Sequence, residues 1–264
     1  MDKQFADMKG KLRLAYTDQG EGTPVVLLHG FCGSSAYWDE VLPLLQGRAR
    51  LIVPDLRGHG DSGAPDEPYG METLADDIAG LLEELQLSKA VLIGHSLGGY
   101  ATLAFAEKYP ERLLAFGLIH STAYQDDDKG KQGRLNSMET IRTKGLPAFV
   151  EGLIPRLFAP AHVETMKDAV ELAKQIGRGT SPDGAIRTLE GMRTRPDRGA
   201  VLKSAKVPLL LVAGEHDQLI PSEKTFTVEG GGVTQVKLAE AGHMSMMEAP
   251  DKLAEAIGAF VSKL

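Results

Sequence analysis

The chain has 264 residues, 42% hydrophobic and 25% charged, a composition ordinary for a soluble globular protein with one large α/β domain or two small ones. A formal net charge of −7, with no basic cluster against it, argues against nucleic acid or an anionic membrane as the partner. The single cysteine, Cys32, excludes an intrachain disulfide and fits a reducing compartment.

Residues 1–10 are charged and lack an apolar centre, so no signal peptide is expected. No uncharged apolar run approaches the roughly 18 residues of a membrane span. "KLRLAYTDQG" (11–20) alternates apolar and polar residues, the pattern of a half-buried strand. "PVVLLHG" (24–30), "RLIVPD" (50–55), "KAVLIGHS" (89–96), "LLAFGLIHS" (113–121) and "VPLLLVAGEHD" (207–217) are short continuous apolar runs ending in turn residues. Such runs suit parallel strands covered on both faces. Between them, 71–87 places Leu74, Ile78, Leu81, Leu82 and Leu85 on one helical face. The stretch 97–110 is Ala-rich and stops at Pro110, and 250–264 opens with Pro250. Strand–helix alternation predicts a mostly parallel, doubly wound sheet. Between about 122 and 203 no strand pattern is visible, and helical segments are expected around 133–144, 145–158, 161–177 and 182–193. "DDDK" (126–129) reads as a solvated loop.

Gly94-His95-Ser96-Leu97-Gly98 is a G-x-S-x-G match that follows an apolar strand and opens a helix. That context is the one a nucleophile elbow requires, because a tight strand-to-helix turn leaves no space for side chains at 94 and 98. Alone, the motif also fits a plain βα turn with a serine N-cap. A serine hydroxyl needs a base, and the base needs an orienting group. Among seven histidines, His243 lies in a loop between the strand-like 233–238 and the last helix, where open α/β sheets collect their sites. Asp217 closes the turn after 207–217, with Glu215 as its rival in the same turn and Asp126–Asp128 as weaker ones.

With Ser96, Asp217 and His243 in that order, the sequence resembles an α/β-hydrolase with a helical cap. The matching stretches are "LLHGFCGSSAYW", "VPDLRGHGDS", "GHSLGG", "LVAGEHDQLIP" and "AGHMSMMEAP", which together cover essentially the whole chain. The resemblance implies an α/β fold with a cap inserted after the sixth strand, residues 1–121 and 204–264 forming the main domain and 122–203 the cap. It implies Ser96 as nucleophile, His243 as base and Asp217 as its partner, with the backbone amides of Phe31 and Leu97 as oxyanion donors. Phe31, His120 and Met244 are expected at the substrate. Leu146, Phe149, Leu153, Ile154, Leu157 and Phe158 offer an apolar lining, and Arg57 is expected to pair with Asp55.

The activity so implied is carboxylesterase action on short- to medium-chain esters, with no metal or organic cofactor. Diketone carbon–carbon hydrolysis and perhydrolysis use similar triads and stay open, as does a ligand-binding receptor on a hydrolase scaffold. Halide- and epoxide-cleaving relatives are set apart by an aspartate at the elbow. The expected partner is a small-molecule ester, without nucleic acid or membrane, and the protein is expected to be a cytoplasmic monomer or homodimer. Because His243 must be neutral to act as base, activity should fall below about pH 6 to 7.

Overall fold

The computed structural model describes residues 2–8 and 10–264. Among the described residues, eight strands form one sheet: β1 (Gln4–Asp7), β2 (Arg13–Gln19), β3 (Pro24–Leu28), β4 (Arg50–Pro54), β5 (Ala90–His95), β6 (Leu113–Ile119), β7 (Leu209–Gly214) and β8 (Val233–Leu238). Their spatial order is β1-β2-β4-β3-β5-β6-β7-β8. Strand β2 runs antiparallel to both of its neighbours, and all other adjacent pairs are parallel. Every residue of β5 and β7 is buried, as strands covered on both faces must be.

Among the described residues, ten α-helices accompany the sheet: α1 (Met71–Glu84), α2 (Leu97–Lys108), α3 (Asp128–Leu153), α4 (Pro160–Thr165), α5 (Lys167–Arg178), α6 (Pro182–Thr194), α7 (Gly199–Lys203), α8 (Ser222–Thr225), α9 (Ser245–Glu248) and α10 (Pro250–Val261). The α1 face predicted from periodicity is the buried one, with Leu74, Ile78, Leu81 and Leu82 in the core and Leu85 partly covered beside it. Helix α2 is buried from Leu97 to Ala106, and its alanines let it lie close against the sheet. It ends before Pro110, whose ring disfavours helical backbone at the preceding residue.

Helices α3 to α7 lie between β6 and β7. Helix α3 is two helices joined at Gly145, where φ is +84°, so the break between the segments predicted on either side of that glycine is real. The segment predicted at 161–177 is divided into α4 and α5 at Met166, whose φ and ψ of −120° and 44° leave the helical region. The insertion rests on the loops that follow β3 and β4. Phe149 of α3 meets Phe31 edge to face at 6.0 Å. A Cβ on Gly184 of α6 would come within 2.7 Å of Gly58 Cα, so the two backbones touch. The two ends of the insertion are clipped together. Arg195 donates to the Tyr124 carbonyl and to Asp126, and the Arg198 amide donates to the Ala123 carbonyl.

Two expectations are corrected, and one strand was not foreseen. The acidic run at 126–129 is a helix start, not a solvated loop: Asp127 caps α3 by accepting from the Gly130 amide, and Asp126 holds Arg134 and Arg195. Arg57 does not pair with Asp55. Its guanidinium forks onto both oxygens of buried Asp77 on α1 at 2.5 and 2.6 Å and also reaches Glu67. Asp55 instead accepts from Lys3 and from the amides of Ser35 and Asp61. Strand β1 was not expected, because only Ala6 of its four residues is buried and so short a run carries no alternation to read.

Candidate active site

Ser96 stands between the C-terminal end of β5 and the first residue of α2, with φ +50° and ψ −110°. This is a strained backbone for a residue with a side chain, and it is held by its surroundings. The Ser96 amide donates to the Ile119 carbonyl at 2.9 Å, and the Ser121 hydroxyl donates to the Ser96 carbonyl at 2.8 Å. The glycines are required for space. A Cβ on Gly94 would lie 2.2 Å from the Gly98 carbonyl, and one on Gly98 would lie 2.6 Å from the Leu28 carbonyl oxygen.

Asp217, in the turn after β7, accepts at both carboxylate oxygens. Oδ1 takes the amides of Leu219 and Ile220 at 2.8 and 3.0 Å. Oδ2 lies 2.7 Å from Nδ1 of His243 and 3.3 Å from Nδ1 of His120. Burial alone would raise this carboxyl, but the histidines and their hydrogen bonds outweigh it and hold Asp217 far below the usual carboxylate range. The rivals weighed in the sequence lie elsewhere: Glu215 faces Lys237 at the surface, and Asp126 is occupied by arginines.

His243 is buried and its Nδ1 is committed to Asp217, so Nε2 is the ring nitrogen left for another partner. His95 brings its loop to the elbow. The His95 Nε2–H donates to the His243 carbonyl at 2.9 Å, and the two rings lie 4.9 Å apart. With Nε2 protonated, His95 Nδ1 is an acceptor; it is buried without a partner against Gly30, where a Cβ would sit 2.6 Å away. Burial holds His95 well below the ordinary imidazole range, and it stays neutral.

Gly30 opens the turn that carries Phe31. Its backbone approaches Ser96 so closely that a Cβ there would lie 3.4 Å from Ser96 Cβ. The Gly33 amide closes this turn onto the Gly30 carbonyl at 3.1 Å. Leu97 is the first residue of α2, so its amide belongs to the helix end whose donors have no partner within the helix. Leu97 thus adjoins Ser96 in the chain, and Phe31 follows the glycine that packs against it.

The residues expected at the substrate divide. Phe31 is partly exposed, between His59 and Phe149. Met244 is fully buried. His120 is also fully buried and is turned toward Asp217 and Ser245, with Nε2 2.7 Å from the Ser245 hydroxyl, so it backs the acid. Sequence reasoning gave no role to His95 or Ser245, whose partners are far away in the chain.

His120, Asp217 and His243 are the three-residue set of potential metal ligands among the described residues, their ligand atoms within 4.8 Å of one another. A tetrahedral zinc with bonds of about 2.1 Å spaces its ligands by roughly 3.4 Å. The 2.7 Å between His243 and Asp217 is too short for that and is the length of a shared proton.

Residues 23–250 match the family model described as the alpha/beta hydrolase fold. The chain belongs to that family. Among solved structures, this hydrolase superposes on a thermophilic esterase from Thermogutta terrifontis, solved with malate bound, with a TM-score of 0.93 and 33% identity, covering 100% of this chain and 99% of that one. It superposes on the enol-lactonase from Burkholderia xenovorans LB400 with a TM-score of 0.90 and 25% identity, covering 98% and 100%. Among curated proteins, the hydrolase is 31% identical to the dihydrolipoyllysine-residue acetyltransferase component of the acetoin cleaving system of Pseudomonas putida, over 98% of this chain and 69% of that protein. Among the described residues, no helix of the hydrolase is long and apolar enough to cross a membrane.

Proposed function

We propose that this hydrolase is a serine carboxylesterase that works through an acyl-enzyme on Ser96. The observation that carries the reading is the 2.7 Å contact between His243 Nδ1 and Asp217 Oδ2 in a loop tied to the strained turn that presents Ser96. Ser96 Oγ attacks the ester carbonyl while His243 Nε2 takes its proton. The amides of Phe31 and Leu97 receive the developing oxyanion. His243 then gives the proton to the departing alcohol. Water, deprotonated by His243, attacks the acyl carbonyl and frees the acid and Ser96. Asp217, ionised throughout, stabilises each imidazolium.

Whole-chain likeness to an esterase supports an ester as substrate. Likeness to an enol-lactonase fits the same chemistry, since a lactone is a cyclic ester. Serine at 96 sets the chain apart from relatives that begin with an elbow aspartate. In this reading residues 122–203 form a cap over the site. Leu146, Ile154 and Phe158 are buried as its core, which leaves Phe31, Phe149 and Leu153, all partly exposed, for the acyl group. An apolar wall this small favours short to medium chains in a protein read as cytoplasmic.

Initial rates on p-nitrophenyl esters from acetate to palmitate, with Ser96→Ala alongside, test the reading. Turnover that peaks at one short or medium length and disappears in the variant is expected. Rates that survive in Ser96→Ala, or none at any length, overturn it.

A further inference from the structure

Glu248, at the end of α9, has a fully buried side chain that takes no part in the chemistry above. Its carboxylate accepts four hydrogen bonds from two different parts of the chain. Oε2 takes the amides of Gly242 and Met244, the residues on either side of His243, at 2.9 and 3.0 Å. Oε1 takes the Ala159 amide at 2.7 Å and Nδ1 of His162 at 2.9 Å, both at the start of α4 in the insertion. The same two segments also meet directly. The His243 amide donates to the Leu157 carbonyl at 2.7 Å, and a Cβ on Gly242 would strike the Ala159 nitrogen at 2.3 Å. With the His95 contact to the His243 carbonyl, the backbone around the base is fixed at four polar groups, the amides of Gly242, His243 and Met244 and the His243 carbonyl.

We propose that Glu248 is a positioning residue for His243, holding its loop in register with Ser96 and locking the Leu157–His162 segment of the insertion onto that loop. The inference rests on the esterase reading. Two physical points carry it. First, all four partners are donors, so the site calls for an acceptor on both oxygens, which a carboxylate supplies and an amide does not. Second, the loop it holds carries the base, and a shift of about 1 Å in a catalytic group can cost on the order of a hundredfold in rate. A residue that merely filled space would be replaced without loss by its isostere.

The experiment compares wild type, Glu248→Gln and His162→Leu on p-nitrophenyl acetate, below each melting midpoint as verified by circular dichroism. In Glu248→Gln one of the two oxygens becomes an NH2 group aimed at two donors. We expect kcat to fall at least tenfold with KM within threefold of wild type. The rate at which a fluorophosphonate labels Ser96 should fall by the same factor, since that step needs His243 and little of the acyl pocket. A folded Glu248→Gln with wild-type kcat and labelling rate overturns the inference while leaving the esterase reading intact. If wild type itself neither turns over the ester nor takes the label, the reading fails and the inference with it. Should Glu248→Gln not fold, His162→Leu decides. It removes one donor from a side chain that is 22% exposed, and it is expected to lower kcat two- to fivefold; unchanged kcat overturns the inference.

Discussion

His120 places its Nδ1 3.3 Å from Oδ2 of Asp217, with both side chains fully excluded from solvent. A proton on Nδ1 serves the carboxylate and lets Nε2 accept from the Ser245 hydroxyl; a proton on Nε2 lets Nδ1 accept the Gly214 amide, 3.2 Å away. The charge on Asp217 favours the first arrangement. Replacing His120 with leucine strips a donor from the acid and leaves the Ser245 hydroxyl buried without its partner. Hydrogen bonds to charged groups contribute about 1.5–3 kcal/mol, so kcat/KM should fall by roughly ten- to a hundredfold, measured with p-nitrophenyl butyrate. Activity equal to wild type would show that Asp217 does not depend on this imidazole.

Gly98→Ala is expected to fail structurally before it fails chemically. The added methyl would lie 2.6–2.8 Å from Leu28 backbone and side-chain atoms in the central strand β3. Overpacking of this kind costs about 1–3 kcal/mol. A melting midpoint several degrees lower is the expected result by calorimetry, and an unchanged midpoint would mean that the elbow and β3 can separate at little cost.

Four buried histidines make the fold acid-sensitive. Burial lowers the pKa of His29, His95 and His120, and lowers that of His59 to about 3. Each stays neutral in the folded state while its unfolded counterpart titrates near 6.5. The unfolded state therefore binds more protons below that pH, and stability is lost as pH falls; for His59 the loss continues down to about 3. Each such group contributes a slope of up to about 1.4 kcal/mol per pH unit below 6.5. Urea unfolding at pH 7.5, 6.5 and 5.5 should give a steadily lower midpoint, with a shallower trend in His59→Phe. A midpoint independent of pH across that range would contradict the neutral, buried state of these rings.

Cys32 follows Phe31 in the candidate oxyanion turn, yet it is fully buried and its thiol is pushed far up by burial. Ellman's reagent at pH 8 should react with the native protein at least a hundredfold more slowly than with protein in 6 M guanidinium. Rapid reaction of the native protein would place the thiol at the surface of the site.

What the sequence made legible was the set of positions where an apolar strand ends in a polar turn. Ser96 and Asp217 each follow such a strand, His243 follows the half-exposed β8, and the glycines around Ser96 mark the elbow directly. Contacts made across the fold were not legible. The Arg57 reading chose Asp55, a neighbour two residues away, although the true partner Asp77 lies 20 residues on and is brought in only by α1 packing. His120 looked like a pocket residue because it follows β6; its place behind Asp217 depends on β6 and β7 being adjacent. Glu248 carries no motif of its own, and only the docking of α4 gives its second oxygen a purpose.

His95 and His243 touch across 148 positions of sequence. During synthesis the elbow and the whole insertion leave the ribosome before the segment that carries the base. A nascent chain can thus hold Ser96 in the growing sheet before His243 exists. On the proposed mechanism such a chain has its serine but not its base, so an unfinished copy would be inactive until the segment after β8 is made.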